Sequence, residues 1–335
     1  MPTHPYRGLP ADQFWSTAIR PIPVEDLDPL RTPPFTIAPT DQVATAGACF
    51  AQYLPRHLQA YGYHFLQTEP PATPTEPSLS ARFGTITTTR QLSQLLLGAY
   101  GLHRPQNRVW RRNDGRFIDP LRPQLFPQGF ATPEEAILER RRHHDAIRRL
   151  FEQCRVFVFT LSLTETWLAE DGTALPIPPG ILDVDLPGQE TTFENLSVAA
   201  MRQDMERFLA DLFAVNPDVR VILTVSPIPI VATYEKRHVL LSNTASKSAL
   251  RVLADETERA HASVFYFPAY EIITAPQSRG AYFEPDLRAL TKAGMANTLR
   301  AFSRHMMRPA ASAPAYAAVS EIRAEADQRE SRQAP

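Results

Sequence analysis

Cysteine is nearly absent: of 335 residues only Cys49 and Cys154 carry a thiol. Two thiols exclude a disulfide framework and any zinc or iron–sulfur site of the multi-cysteine kind, so a reducing, cytoplasmic setting is expected. Charge excess is absent too. The 35 Lys and Arg against 36 Asp and Glu give a net charge of -1, leaving no long-range field to recruit nucleic acid or an anionic membrane. No run approaches the ~20 apolar residues that span a bilayer, and the first residues lack the apolar core of an export signal. Internal repeats and heptads are also missing.

What the chain has in quantity is proline, 32 in all. Clusters at Pro21 to Pro39, Pro70 to Pro77 and Pro176 to Pro179 interrupt helices and central strands, marking arms and loops around a core. Residues 1–40 read as an N-terminal arm, 41–308 as one elaborated domain, and 309–335 as a flexible tail whose Ala, Pro, Ser and charged residues offer little apolar surface against the entropy of ordering.

Four short apolar runs, Gln42 to Ala46, Val156 to Leu161, Val219 to Val225 and Val264 to Phe267, have the length and composition of buried strands. Helical patterns fall between and after them, over Phe50 to Tyr61, Thr89 to Gly98, Pro133 to Phe151, Val198 to Phe213, Ser246 to His261 and Thr291 to Met307. Thr132 before Pro133 and Ser246 before Ala249 and Leu250 read as helix caps. Strands alternating with helices predict an α/β fold, a parallel sheet flanked by helices. In such sheets ligands gather beyond the carboxyl ends of the strands.

The first strand ends in Thr45-Ala46-Gly47-Ala48-Cys49-Phe50, with glycine at the turn and a thiol at the start of the next helix. The positive end of a helix dipole favours thiolate there, and the backbone N–H groups could hold an oxyanion. A small buried cysteine in a tight turn would look the same, and Cys154, beside no such turn, reads as structural. The second strand ends in Leu163-Thr164-Glu165, where a hydroxyl and a carboxylate could serve catalysis or tie down a loop. The third leads through Ser226 and Pro227 to a polar stretch containing His238 and Asn243. His238 is the one histidine of nine on a strand-end loop, and so the candidate base. Asp286, beside Pro285, reads as an orienting acid or a turn residue. The arginine-rich stretch from Glu139 to Arg149 reads as the solvated face of a helix.

These segments also carry a resemblance. Gly47-Ala48-Cys49-Phe50-Ala51 resembles the signature of the GSCFA family. Phe83 to Leu92, Val158 to Glu165, Leu223 to Pro227, Ser246-Lys247 and Tyr266 to Ile273 resemble further blocks of that family in order. It is similar to SGNH/GDSL esterases and acyltransferases, which implies a three-layer, flavodoxin-like domain with Cys49 in the nucleophile position. The resemblance also implies that Gly84 supplies an oxyanion-hole glycine, Thr164 and Glu165 a polar pair, and Asp286 the late acid. Two positions depart from the pattern: Ala48 stands where the family has serine, and Ala289 where an SGNH block has histidine. The expected activity is hydrolysis or transfer of an acyl ester, on a carbohydrate or another small ester. In it Cys49 attacks, His238 moves the proton, Asp286 or Glu165 orients it, and Gly47, Ala48, Gly84, Thr164, Ser226 and Asn243 line the oxyanion and substrate site. No cofactor or metal is required, an acyl-CoA is a candidate donor, and neither nucleic acid nor membrane is an expected partner. The alternative is a non-catalytic carbohydrate- or partner-binding protein on the same fold, to which the two alanines point.

Overall fold

The computed structural model describes residues 4–72, 76, 78–106, 109–182, 184–185 and 191–308; the expected tail lies outside them. At its centre is a parallel sheet of β1 (Val43–Gly47), β2 (Val156–Leu161), β3 (Arg220–Val225) and β4 (Val264–Tyr266), in that spatial order. Outside β1 a further segment joins in parallel. The Val43 N–H donates to His64 O at 3.0 Å, and the Leu66 N–H to Val43 O at 2.8 Å. The chain therefore leaves β1 towards one side and crosses to β2 on the other, so winding reverses at the β1/β2 boundary. That reversal is where doubly wound sheets open a crevice.

All six residues of β2 are buried, as are the first four of β1, because both faces of the sheet are covered. One face presents Ala44, Ala46, Phe157, Phe159, Val221 and Leu223 to α2 (Thr89–Ala99), α3 (Pro133–Gln153), α4 (Val198–Val215) and α5 (Val239–Ala260). The other presents Val43, Val156, Val158 and Ile222 to α1 (Cys49–Ala60), α6 (Ala269–Thr274) and α7 (Lys292–Met306). Strand alternation thus sorts the side chains into two cores and makes three layers.

Helix starts follow side-chain chemistry. Thr132, Ser197 and Thr291 each accept an N–H three residues on, and Thr88 with Gln91 forms a reciprocal capping box. One expected start is corrected. The helix read as beginning at Ser246 begins at Val239, capped by His238, so Asn243 and Ser246 are helical rather than loop residues. Its first turn directs Leu240 and Leu241 to solvent, so the inward apolar pattern starts only later and hides the true beginning. Two small antiparallel sheets were also unforeseen; one pairs Glu165–Ala169 with Ala174–Leu175 and Thr191–Asn195. They flank the central sheet beyond the end of β2. The N-terminal segment runs along α7: Phe35 and Ile37 are buried in its core, and the Arg308 N–H donates to Ile37 O at 2.9 Å.

Three aromatic rings fix α1 to the sheet. Phe50 stacks on Phe267 at 5.3 Å and meets Phe302 edge-on at 5.7 Å, anchoring the helix at its second residue. Gly47, at φ +98°, leads into it with no room for a side chain, since a Cβ there would stand 2.5 Å from Thr160 O. Gly47→Ala is therefore expected to lose the native fold or several kcal/mol of stability, combining a positive-φ penalty with a backbone clash, as read by urea denaturation; an unchanged midpoint would contradict this geometry.

Burial pushes His57, His143 and His144 from 6.5 down to about 4. Because the unfolded chain binds these protons near pH 6.5 and the folded protein only near 4, folding stability is full above pH 6.5 and declines as pH falls towards 4. Melting temperatures measured from pH 7.5 to 4.5 should decrease in that window.

Candidate active site

The register of the sheet sets the site. Gly47, the last residue of β1, lies level with Thr160 of β2 and Thr224 of β3, so the chain emerges beside the ends of both neighbours. The Ala48 N–H donates to Thr160 O at 3.2 Å, and the helix begins at once with Cys49. Ala48, the N-cap, offers no side-chain acceptor, which leaves the first N–H groups of α1 open. Those of Cys49 and Phe50 act on the cysteine sulfur. The thiol is half-buried, whereas Cys154 is fully buried in the core, as expected of a structural residue.

Two side chains from other elements act on the thiol. The hydroxyl of Ser226, one residue beyond β3 and buried, hydrogen-bonds the sulfur; the Ser226 N–H is held by Leu161 O at 2.8 Å. From α5 comes Lys247, whose side chain is 1% exposed and whose ammonium donates to Ser162 O at 2.9 Å. Its charge couples to Cys49, and Arg288 adds a second positive charge; no carboxylate acts on it. Burial without a carboxylate disfavours the ammonium, and Lys247 is pushed down to about 8. Burial likewise pushes the Cys49 thiol up to about 11, against the hydrogen bond from Ser226, the charge of Lys247 and the helix N–H groups. The dipole and its N–H groups do favour thiolate, as their chemistry dictates, but desolvation outweighs them.

The expected base and acids have other work. His238 is exposed, with Nδ1 accepting the Leu240 N–H at 3.2 Å as the cap of α5. Asp286 is exposed and accepts the N–H groups of Arg288 and Ala289, each at 2.9 Å, as a turn residue. Glu165 receives the Thr233 hydroxyl and, at 2.9 Å, the Tyr234 N–H. Asn243 accepts the Ile230 N–H at 3.1 Å, the Thr164 hydroxyl donates to Ser246 at 3.1 Å, and exposed Gly84 faces Arg122. Their shared role is to hold the loops around the strand ends. None belongs to the set of groups acting on the thiol, which comprises Ser226, Lys247 and the N–H groups of Cys49 and Phe50 in the turn after Gly47 and Ala48. Arg288 acts in turn on Lys247, and to neither Lys247 nor Arg288 does the sequence alone assign a role.

Both have a legible signal. Once α5 starts at Val239, Lys247 falls on the buried stripe with Leu250, Leu253, Ala254 and Thr257, a place where a lysine is rare unless paired. Arg288 follows Leu287, which sits at φ +55°; that kink sends the guanidinium inwards to Pro229 O at 3.2 Å while Asp286 stays outside.

Next to Lys247, Ser246 lines a pocket of ≈ 330 Å³ beyond the end of β2. Its walls are largely apolar and aromatic, with Leu163, Ile177, Ile230, Trp167 and Tyr234, and with Glu165 at one side. The Trp167 and Tyr234 rings meet edge-on at 4.8 Å. Among the described residues no cluster of His, Cys, Asp and Glu could hold a metal ion, and no helix is long and apolar enough to cross a membrane.

Fold and site together define a doubly wound α/β protein with a thiol at the β1/β2 switch point. The chain belongs to the GSCFA family, whose pattern it matches over residues 42–302. Among curated proteins no sequence matches it. Solved structures similar to it include a Clostridium thermocellum family 3 carbohydrate esterase, at 10% identity and a TM-score of 0.34, covering 80% of this chain and 94% of that one. Another is a Corynascus thermopiles (Myceliophthora fergusii) carbohydrate esterase family 2 enzyme plus carbohydrate binding domain, at 14% identity and a TM-score of 0.31, covering 80% of this chain and 67% of the other.

With its pKa near 11, the thiol should label slowly with iodoacetamide at about pH 7, the rate climbing with pH without a plateau below about pH 10. At about pH 8, Lys247→Met should slow labelling further, because the cation that lowers the thiol is gone. A plateau already reached near neutral pH would show a thiolate that this environment does not provide.

Proposed function

We propose that the protein is an acyl-transfer enzyme, a hydrolase or transferase of acyl esters, in which Cys49 is the nucleophile and Lys247 the general base. The observation that carries the reading is a fully buried lysine whose charge acts on the Cys49 thiol and which, among the described residues, has no carboxylate partner. A lysine whose pKa lies near 8 is a neutral amine in a useful fraction at physiological pH and can accept a proton. The thiol is a poor nucleophile until that proton leaves, so a neighbouring base is what it needs.

In the first step the Cys49 sulfur bonds to the ester carbonyl carbon while its proton passes to the Lys247 amine. The carbonyl oxygen becomes an oxyanion facing the uncapped N–H groups of α1. The intermediate collapses as the carbon–oxygen bond to the alcohol breaks, and the Lys247 ammonium returns its proton to the departing alkoxide. This leaves a thioester on Cys49. Water or an acceptor hydroxyl then attacks, giving its proton to the Lys247 amine; the proton passes to the sulfur as the thiol is released. Ser226 orients the thiol, and Arg288 keeps Lys247 from holding its proton too tightly. The apolar and aromatic pocket beside Ser246 suits the acyl group or the apolar face of a sugar ring, which keeps an acylated carbohydrate among the substrates to test.

One observation favours the non-catalytic binder instead: the thiol stands at about 11 and faces no histidine base. A chromogenic short-chain acyl ester separates the two readings. Turnover should rise with pH through about 8 as Lys247 loses its proton, and both Cys49→Ala and Lys247→Met should reduce it by at least ~100-fold. The Lys247→Met protein should melt no lower than the native one, because an unpaired buried charge has been replaced by a side chain of similar length. If native protein and both variants share the same background rate, the catalytic assignment is wrong and the binder stands.

A further inference from the structure

Away from the thiol, α3 carries Arg140, His144 and Arg148 four residues apart and therefore on one face, with Arg141 beside them. This face does not look out to open solvent. Across from it lies the turn after α2, from Gly98 to Pro105, which brings in His103 and Arg104, and between the two is a groove of ≈ 750 Å³. That volume lies in the range of small-ligand sites.

The charges in the groove do not balance. Asp145 is the only carboxylate lining it among the described residues, and it is paired with Arg148. Arg140 is held by Asp119, whose Oδ1 accepts from both its Nε, at 3.1 Å, and its Nη2. Arg104 donates from Nε to Gly101 O at 3.0 Å and has no carboxylate partner among the described residues; nor has Arg141. Two guanidinium groups thus face a concave wall without counter-charge, and the nearby carboxylate Glu152 is engaged by the Tyr100 hydroxyl at 2.9 Å. His144 adds no charge near neutral pH. It is pushed down to about 4 by burial first, then by His143 and Arg140, which agrees with positive surroundings.

We propose that this groove binds the phosphate groups of a small phosphorylated ligand, with Arg104 and Arg141 as its principal contacts. Guanidinium forks match phosphate oxygens two at a time, which a single carboxylate would use less fully. The groove and the strand-end pocket are linked through shared walls. Gly98, His103, Arg140 and His144 line both it and a small interior cavity of ≈ 50 Å³, while Gln91 and Pro176 line both that cavity and the pocket beside Ser246. The two ends are separated by the length of α2, about 16 Å for its 11 residues.

The test is binding, measured by calorimetry and thermal shift at fixed ionic strength, with inorganic pyrophosphate, ADP and sulfate as probes and a single-stranded oligonucleotide as the competing class. Pyrophosphate should bind at least ten-fold tighter than sulfate and raise the melting temperature. Arg104→Glu and Arg141→Glu, both at exposed positions, should each weaken it at least ten-fold while melting like the native protein without ligand. ADP binding tighter than pyrophosphate would identify a nucleotide-bearing ligand, and equal binding a free phosphate group; both support the site. Cys49→Ala should bind as the native protein does, so the result stands apart from the acyl-transfer reading. Pyrophosphate no better than sulfate, unchanged affinity in both arginine variants, or an oligonucleotide that outcompetes both small probes would overturn the proposal.

Discussion

The close approach of Gly47 to the backbone of Thr160 is the constraint on which the rest of this structure depends. A side chain at residue 47 would collide with a carbonyl of the next strand, so β1 can end level with β2 and turn immediately into a helix only because that position is glycine. The turn uses the Ala48 N–H on Thr160 and turns the N–H groups of Cys49 and Phe50 onto the cysteine sulfur at the crevice. The Phe50, Phe267 and Phe302 rings then lock the helix. A polar site is thereby fixed by apolar packing one residue away, the arrangement that keeps functional groups on rigid elements.

Around that turn the balance of charge is unusual. Elsewhere among the described residues buried ions are paired: Asp119 lies between Arg122 and Arg140, and Glu69 meets Arg122 at 3.4 Å. Lys247 is the contrast, its ammonium donating to a backbone carbonyl instead of a carboxylate. Burial moves Lys247 and the thiol in opposite directions, the amine down and the thiol up, so a proton passes between them only with help from substrate and oxyanion donors.

The same logic separates the two polar regions. At the strand ends a cation is buried and inclined to give up its proton; in the groove beside α2 the cations are guanidinium groups, which stay charged at any physiological pH. One cation can lose its charge near physiological pH, the others cannot. Helix α2 links them, its capped start near the crevice and its end in the basic groove.

Much of this is legible in the residues alone. The four strands can be read close to their observed bounds because runs such as Val156 to Leu161 are apolar on both faces, and α3 because Thr132 caps it. The nucleophile turn is legible because a glycine between a strand and a helix that opens on a thiol marks a tight turn at a strand end. By itself the sequence determined the layered α/β fold, the place of Cys49 and the family. Only the tertiary structure decided the partners of the thiol. His238, Asp286 and Glu165 are suitable in kind, yet each uses its polar atoms on a local turn, cap or loop, while Lys247 arrives from an element distant in the chain, with Arg288 acting on it in turn. Residue type and local pattern are properties of neighbours in sequence; desolvation and charge proximity, which set Lys247 near 8 and Cys49 near 11, exist only once distant segments are packed together.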